Sequence, residues 1–357
     1  MPTKSRCARW RADGELRYVK ILLLQLKRIG DLILTLPAID ALRERFPDAE
    51  ITLVVAGQCA EVLPAISTVD HAYVARRNLR DIRLFFAIAR QKFDCCIDFT
   101  QNDRSAILTF LSRAQRRVGA SRVQVRSERR ARVYNLFAHL RLKEMHTIDY
   151  NLALLEPLGI RNAGPELRLE LPEHARTKAR ELLRAAKIDN HFIVVHPGSA
   201  RAEKFWEPER WAAVIKHAQT QLQTAVVVTG GTWHFEQEHI RQIKQRAGNA
   251  IVDLSGQTDL LTLAAVIKEA RILVTVDSAA MHLAATQRTP QVILFGPTNP
   301  FHWRPRGTAA VILQGDSGAP ITTFLPKQPP ASMKQISTEM VINGMDALLS
   351  AAAARTS

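Results

Sequence analysis

The sequence is poor in the features that mark secreted, metal-binding and membrane-spanning proteins. Its four cysteines include one adjacent pair and no Cys-x-x-Cys, so neither a disulfide framework nor a zinc site is predicted. No apolar run approaches the roughly 20 residues that a membrane-spanning helix needs. The N-terminus leads into no cleavable apolar segment. We therefore expect a cytoplasmic protein with reduced thiols.

The scarcity of glycine near the first predicted strand excludes one class of enzyme. Residues 18–25 predict a buried strand, and the turn at 27–31 follows it directly with one glycine, Gly30. This turn lacks the third glycine and the spacing of a dinucleotide-binding fingerprint. Nicotinamide or flavin binding is therefore rejected, and no cofactor is expected. Asp31, at the start of the next helix, is either a helix cap or, if it faces a cleft, a general base.

Positive charge is concentrated in the first half of the chain. Of the net charge of +15, residues 1–165 carry +11, from 28 Lys and Arg against 17 Asp and Glu. The segment 113–132 holds eight arginines and one acid, Glu128. Such a segment fits nucleic acid, anionic lipid headgroups or a phosphorylated acceptor, or it is only a solvated loop. Aromatic residues for base stacking are sparse there, which disfavours nucleic acid.

The length of 357 residues predicts two domains. Alternating strand and helix patterns in each half predict parallel sheets, and hence an α/β fold with two Rossmann-like, doubly wound domains. In the first half the segment 113–132 interrupts this alternation, and in the second half the strand at 292–295 is the last one predicted. The expected boundaries are a poorly ordered basic leader at 1–17, a first domain at 18–170, a connection at 171–190 and a second domain at 191–357.

A strand that turns directly into a helix lies at the centre of the second domain. The β-branched run at 272–276 suits a strand buried on both faces, and Asp277 or Ser278 is a good helix N-cap. A helix that begins there presents free N–H groups at the carboxyl end of the sheet, where such folds bind anionic ligands. The alternative is a plain connection capped by Asp277. His282, one turn into the helix, is either packed or a ligand contact.

Two other loops follow predicted strands of the second domain. In the first, Ser199 lets the backbone approach an anion and Lys204 offers a point charge for phosphate. His196, before this loop, is more typical of a structural residue than of a catalyst. In the second, Gly230 precedes Glu236, which is either a ligand contact or a surface helix residue.

Six motifs follow one another along the chain. They are Arg28 to Asp31 followed by a Leu-Pro-rich helix, His196 to Ser199 leading to Lys204 and Trp206-x-Pro208, Leu254-x-Gly256-x-Thr258-x-Leu260, Asp277-Ser278-x-x-x-His282-Leu283-Ala284, Phe295 to Thr298, and Met333 to Ile336. In content and order they resemble the motifs of the ADP-heptose:lipopolysaccharide heptosyltransferases, glycosyltransferase family 9. The resemblance extends from about residue 19 to about residue 350.

The resemblance implies the GT-B fold, in which two Rossmann-like domains face each other across a cleft. It assigns the acceptor to the first domain and the nucleotide sugar to the second. It implies catalytic roles for two residues, Asp31 as general base and Lys204 as a stabiliser of the departing diphosphate. The implied donor-binding residues are Ser199, Lys204, Gly230, Glu236, Asp277, Ser278, Ala279, Ala280, Met281 and His282. The acceptor-binding residues are Arg28, Gly30, Arg126, Arg129 and Arg130.

The function implied is inverting transfer of heptose from ADP-heptose to the lipopolysaccharide inner core. No Asp-x-Asp occurs in the chain, so no metal ion is expected and positive groups must stabilise the leaving group. We expect a monomer at the cytoplasmic face of the inner membrane, in peripheral contact with its anionic lipids. One alternative is a family 9 enzyme that uses another nucleotide sugar for a different surface glycan. The alternative outside enzymes is a basic nucleic-acid-binding protein.

Three departures from the family pattern leave details open. Ser332 stands where many relatives have cysteine. Two extra residues separate Gly231 from Glu236, so Glu238 competes with Glu236 for a ribose or adenosine contact. The residues at 200–202 are Ala-Arg-Ala where some relatives place hydroxyl groups, which leaves the donor sugar undetermined by these residues.

Overall fold

The computed structural model describes residues 19–79, 81–188, 191–248, 251–315 and 318–353. The predicted leader at 1–17 lies outside the described residues. The chain divides into two compact units, and the boundary falls between Glu166 and Leu167. Each unit contains one six-stranded parallel sheet with helices, so the predicted α/β class with two Rossmann-like halves is confirmed.

The first unit has the strand order β3-β2-β1-β4-β5-β6, which is the doubly wound order. Its strands are β1 (Lys20–Gln25), β2 (Glu50–Ala56), β3 (His71–Ala75), β4 (Cys95–Asp98), β5 (Arg116–Ala120) and β6 (Leu136–Ala138). Its helices are α1 (Ile29–Ile33), α2 (Leu36–Arg45), α3 (Asp81–Arg90), α4 (Asp103–Leu111), α5 (Arg122–Arg126), α6 (Glu128–Ala131) and α7 (Thr147–Ala153). Short 3₁₀ helices cover Gly57–Ala65, Leu142–Glu144 and Glu156–Leu158.

The second unit repeats this arrangement, with the order β12-β11-β10-β7-β8-β9. Its strands are β7 (Phe192–His196), β8 (Ala225–Val228), β9 (Val252–Asp253), β10 (Leu273–Val276), β11 (Gln291–Phe295) and β12 (Ala310–Gln314). Its helices are α8 (Glu173–Ala185), α9 (Pro208–Thr220), α10 (His234–Ala247), α11 (Leu260–Glu269), α12 (Ala279–Gln287), α13 (Pro300–Trp303) and α14 (Thr338–Ala353). Ala202–Lys204 and Met333–Gln335 are 3₁₀ helices.

Strand register brings the predicted loops together in pairs. In the first unit, Leu24 of β1 pairs with Asp98 of β4, so the loops at 26–31 and 99–102 leave the sheet side by side. In the second unit, Thr275 of β10 pairs with His196 of β7, so the loops at 197–204 and 277–279 are neighbours. Both pairs lie at the point where the strand order reverses, which is where doubly wound sheets bind ligands.

The predicted interruption at 113–132 is wrong. The segment contains β5, α5 and α6, and β6 follows it. The arginines of β5 are accommodated because the strand begins half-exposed and ends buried at Val118 to Ala120. The Arg117 guanidinium also donates hydrogen bonds to the carbonyl groups of Val133, at 2.5 Å, and Ala114, at 2.6 Å. High arginine content therefore concealed a strand whose charges bond to nearby backbone.

The prediction that the strand at 292–295 is the last one is also wrong. β12 pairs with β11 in parallel, from Gln291 with Ala310 to Phe295 with Gln314. This strand forms the edge of the sheet, and its first two residues are only partly buried. A partly exposed edge strand after an irregular segment carries a weak periodic signal, so only its pairing partner identifies it.

Candidate active site

Asp31 lies in the first turn of α1, directly beyond the carboxyl end of β1. Its carboxylate accepts a hydrogen bond from the Arg28 backbone N–H at 3.3 Å. Burial raises the pKa of the Asp31 carboxyl, although the positive charge of Lys27 and the Arg28 N–H both act in the opposite direction. Asp31 therefore caps its own helix start and is also a stronger base than an exposed aspartate. The two roles weighed from the sequence are compatible.

Lys27, which lies in the same loop as Asp31, was not predicted from the sequence to be a site residue. The residue is half-buried, and burial lowers the pKa of its ammonium. Asp31 and Asp98 raise that pKa, and Arg122 lowers it further, so the charge of Lys27 is influenced by all three of these groups. The only sequence signal for Lys27 was its position in the loop after β1.

A buried acid organises the neighbouring loop at the end of β4. Asp98 is fully buried and accepts hydrogen bonds from the N–H groups of Thr100 and Gln101, both at 2.8 Å, and from the Tyr134 hydroxyl at 2.6 Å. Burial raises the pKa of this carboxyl. Gln101 has a positive φ of 59°, a strained conformation. Its N–H bond to the Asp98 carboxylate stabilises that conformation, as does the bond from its side-chain amide to the Asp98 carbonyl at 3.0 Å.

This loop holds two arginines from the basic segment. The Gln101 carbonyl accepts a hydrogen bond from Arg130 at 2.9 Å, and its side-chain oxygen accepts one from Arg122 at 3.4 Å. Arg130 also pairs with Asp103 at 3.2 Å. Arg122, which was not among the predicted acceptor-binding residues, lies with its guanidinium 5.4 Å from the centre of the Tyr150 ring. The two arginines are thus positioned cations rather than part of a solvated loop.

The other predicted acceptor-binding residues have fewer contacts with the rest of the first unit. Arg126 and Arg129 are exposed, and within the described ranges no hydrogen bond or ion pair engages either guanidinium. Arg28 is exposed at the turn before α1, and Gly30 lies inside that helix. The structure therefore brings Arg130 to the loop beside Asp98 and leaves Arg126 and Arg129 open to solvent.

In the second unit, Lys204 and Asp277 form a buried ion pair. The Lys204 ammonium lies 2.6 Å from the Asp277 carboxylate and donates to the Asp277 carbonyl at 2.9 Å. The Thr298 hydroxyl donates to the same carboxylate oxygen at 2.5 Å. An ammonium has three donors, so these contacts leave one for a ligand. Thr298 belongs to a motif quoted from the sequence, but no role was predicted for it.

Neither of the two predicted caps, Asp277 and Ser278, caps the start of α12 with its side chain. Ser278 is the N-cap residue, and its hydroxyl makes no capping hydrogen bond but lies 3.3 Å from the Thr275 hydroxyl. Asp277 is bound to Lys204 and Thr298 instead. The N–H groups of Ala279 to Met281 therefore begin a nine-residue helix whose positive dipole end has no acidic cap.

His282 lies one turn into α12 and is 4% exposed. Its Nδ1 has no hydrogen-bond partner among the described residues. Burial lowers the pKa of the ring to about 4, although Asp277 acts to raise it, so the imidazole is neutral at physiological pH. A buried polar atom without a partner is costly, which favours a ligand contact over simple packing.

Glu236 lies against the two glycine-containing loops of this unit. Its carboxylate accepts a hydrogen bond from the Gly231 N–H at 2.8 Å, and burial raises its pKa. A Cβ at Gly198 would overlap this carboxylate, and a Cβ at Gly230 would come within 3.2 Å of it. Glu238, the rival from the sequence, is a partly exposed partner of Arg241, whose hydrogen bond lowers the Glu238 pKa to about 2. Glu236, and not Glu238, is therefore the acid that lies against these glycine-containing loops.

Two other predicted positions complete the second unit's cluster. Ser199 is buried in the loop after β7, and its hydroxyl accepts a 3.4 Å hydrogen bond from the Arg201 N–H. His196, the last residue of β7, is buried with its Nδ1 3.0 Å from the Thr229 hydroxyl, and burial lowers its pKa to about 4. This contact gives His196 a structural role.

Metal-binding clusters and membrane-spanning helices are both absent from the described residues. In those ranges, no group of three or more His, Cys, Asp or Glu side chains is arranged to hold a metal ion. Across the same part of the chain, no helix has both the length and the apolar character needed to cross a membrane.

Comparison with known proteins identifies relatives in sequence. Residues 82–323 match the model of glycosyltransferase family 9 (heptosyltransferase). Lipopolysaccharide heptosyltransferase 3 of Escherichia coli K12 is 27% identical over 287 residues, which cover 77% of this chain and 82% of that protein. Lipopolysaccharide core heptosyltransferase OpsX of Haemophilus influenzae is 24% identical over 289 residues, which cover 79% of this chain and 80% of that protein.

Solved structures agree with this assignment. The glycosyl transferase family 9 protein of Veillonella parvula superposes with a TM-score of 0.81 and 25% identity, covering 93% of this chain and 97% of that one. E. coli heptosyltransferase WaaC with ADP superposes with a TM-score of 0.69 and 20% identity, covering 92% and 97% of the two chains. The matched family model and the motifs agree, and the chain therefore belongs to glycosyltransferase family 9, the heptosyltransferase family, and is a glycosyltransferase with the GT-B fold.

Proposed function

We propose that this enzyme transfers heptose from ADP-heptose to the lipopolysaccharide core, with inversion and without a metal ion. One observation carries most of the proposal: a buried Lys204–Asp277–Thr298 cluster lies next to the uncapped start of α12, at the carboxyl end of a parallel sheet. Such a cluster suits the diphosphate of a nucleotide sugar. The relatives named above are lipopolysaccharide heptosyltransferases, and one solved relative carries ADP.

The proposed reaction is a single displacement at the anomeric carbon. The acceptor hydroxyl attacks that carbon as Asp31 takes its proton, a new carbon–oxygen bond forms, and the bond to the diphosphate breaks. ADP leaves with the electron pair of that bond. Lys204 and the N–H groups at the start of α12 stabilise its charge. Asp277 holds the Lys204 ammonium, and Glu236 and His282 contact the nucleotide or the sugar.

The acceptor is proposed to be a lipid-linked, phosphorylated glycan at the cytoplasmic face of the inner membrane. The exposed guanidinium groups of Arg126 and Arg129 and the positioned ones of Arg122 and Arg130 suit phosphate groups. A lipid-linked acceptor requires the enzyme to work in peripheral contact with the membrane. Anionic lipids would attract the strongly basic first half of the chain.

Incubation of the purified enzyme with labelled ADP-heptose and truncated core acceptors tests the proposal. We expect transfer from ADP-heptose and much less from ADP-glucose or UDP-sugars. Residues 200–202 are Ala-Arg-Ala, whereas some relatives have hydroxyl-bearing residues there. The comparison between nucleotide-sugar donors is therefore the decisive part of the experiment. Turnover of a different nucleotide sugar with none of ADP-heptose would contradict the proposal and favour transfer to another surface glycan.

Replacing Arg126 and Arg129 together with serine is expected to raise the acceptor KM about tenfold or more, because each loses a charged hydrogen bond to phosphate. ADP affinity should stay unchanged. Arg130 is left intact because it also holds the Gln101 carbonyl. Steady-state kinetics and calorimetric titration with ADP measure the two effects.

The matched control replaces two exposed arginines outside the segment, Arg161 and Arg184, with serine. It removes the same charge and should leave the acceptor KM near the unmodified value. Equal loss of acceptor use in both variants would show that only net charge matters, and equal loss of acceptor and ADP binding would refute the division between the units.

Replacing Lys27 with methionine is expected to move the acidic limb of the kcat/KM profile to higher pH. The Lys27 charge stabilises the Asp31 carboxylate and so lowers its pKa. Without that charge the pKa rises further above its ordinary value, and a higher pH is needed to form the base. Lys92→Met removes an exposed lysine instead and should leave the limb in place. A limb that stays fixed in both variants would mean that Asp31 does not set it.

A further inference from the structure

Two adjacent helices of the first unit expose large apolar side chains. On α3, Leu84 is buried while Phe86 is 65% exposed. On α4, Leu108 is buried while Phe110 is 68% exposed. Half-exposed isoleucines precede both phenylalanines, Ile82 on α3 and Ile107 on α4. Each helix therefore has an apolar inner face, which is ordinary, and an apolar outer stripe, which is not.

The two outer stripes lie on the same side of the first unit. Leu84 and Ile88 of α3 and Leu108 of α4 belong to one buried cluster with Leu22 and Leu24 of β1. Both helices therefore pack on the same face of the sheet, and their opposite faces point away from it together. An ion pair between Arg104 of α4 and Asp81 of α3 joins them. The four exposed side chains form one patch, here called the α3–α4 patch.

Positive charge borders this patch. Arg83 and Arg90 lie on the exposed side of α3, and Arg113 follows the end of α4. No hydrogen bond or ion pair of these three guanidinium groups is found within the described part of the chain. The nearby acids are already engaged: Asp81 is buried against Arg104, and Asp103 pairs with Arg130.

We propose that the α3–α4 patch docks on an anionic lipid bilayer. Apolar side chains that enter the headgroup region, bordered by arginines that meet lipid phosphates, are the pattern of interfacial membrane binding. The patch also begins at the loop that holds the basic segment, since α4 starts at Asp103 and Gln101 binds Arg122 and Arg130. This proposal rests on the proposed function in one respect, namely that the acceptor is lipid-linked.

Vesicle binding by the full chain tests the docking surface. We expect tighter binding to vesicles of phosphatidylcholine and phosphatidylglycerol in equal parts than to phosphatidylcholine alone. The variant Phe86→Ser/Phe110→Ser should bind the mixed vesicles about 10- to 100-fold less, because two aromatic side chains no longer leave water. The affinity of Arg83→Gln/Arg90→Gln should fall about tenfold for the mixed vesicles and should change little for the neutral ones. Sedimentation with vesicles measures all of these.

Leu325→Ser is the matched control, because Leu325 is a 58% exposed apolar residue of the second unit. It should bind vesicles as the unmodified protein does. Equal vesicle binding by all variants overturns the proposal. So does concentration-dependent self-association that the double serine variant abolishes without any vesicle binding, since the patch would then bind a second copy of the chain.

A transfer assay separates this proposal from the proposed function. With a delipidated, water-soluble core acceptor, the Phe86→Ser/Phe110→Ser variant should be as active as the unmodified enzyme. With the lipid-linked acceptor in mixed vesicles it should be slower by about the loss in vesicle binding. Vesicle binding that depends on the patch, in a protein that never uses ADP-heptose, would support the docking surface and contradict only the heptose transfer. If the variant and the unmodified enzyme had the same rate on the lipid-linked acceptor as well as on the water-soluble one, the docking role would be overturned.

Discussion

Replacing Asp31 with asparagine is expected to lower turnover by about 10²- to 10⁴-fold, the range assigned to a general base. Asparagine keeps the size of the side chain and can still accept the hydrogen bond from the Arg28 N–H, so α1 should start as before. ADP affinity should not change, because the proposed donor residues lie in the second unit. Single-turnover kinetics and titration with ADP measure the two quantities.

The free energy of unfolding distinguishes this loss from misfolding. Because burial raises the pKa of Asp31, the folded state favours its protonated form, and the carboxylate costs stability at neutral pH. The cost is present above the folded pKa and disappears as pH falls below the ordinary value. Asp31→Asn should therefore be at least as stable as the unmodified enzyme at pH 7. Asp48→Asn, at an exposed position, is the matched control and should be fully active. Unchanged turnover in Asp31→Asn would reduce Asp31 to a helix cap.

Replacing Lys204 with methionine is expected to cost about 3–5 kcal/mol of unfolding free energy, because it leaves the Asp277 carboxylate buried without its partner. Both side chains of the pair are at most 10% exposed, so solvent screens the interaction little. Turnover should also fall about 10²- to 10³-fold through loss of a charge at the leaving group. Denaturant unfolding at pH 7 and steady-state kinetics measure the two effects.

A double variant separates the structural and catalytic roles of Lys204. In Lys204→Met/Asp277→Asn neither buried charge remains, and most of the lost stability should return, while the turnover defect should persist. The double variant keeps an amide that can accept from the Thr298 hydroxyl, so the neighbouring loop should stay in place. Recovery of activity together with stability would show that Lys204 serves only to neutralise Asp277.

Much of the fold could be predicted from local patterns. The strands β1, β7 and β10 are continuous apolar runs, and each is followed by a loop and a helix, so a parallel sheet in each half was inferred correctly. The strands that were missed, β5, β6 and β12, lie at or near a sheet edge. β5 lies within dense positive charge, and β12 follows an irregular segment. Their identity as strands comes from pairing with a neighbour, which local composition does not encode.

The sequence by itself determined the fold class, the family and which loops carry the chemistry, because glycine, lysine and capping residues at strand ends are local features. Only the tertiary structure decided what those residues do to one another. Lys204 and Asp277 are 73 positions apart, yet their contact frees the start of α12. Packing against Gly198 selected Glu236 over Glu238, and the loop at Asp98 brought Arg122 and Arg130 together. Charge pairing and burial depend on distances through space, and spacing along the chain does not specify them.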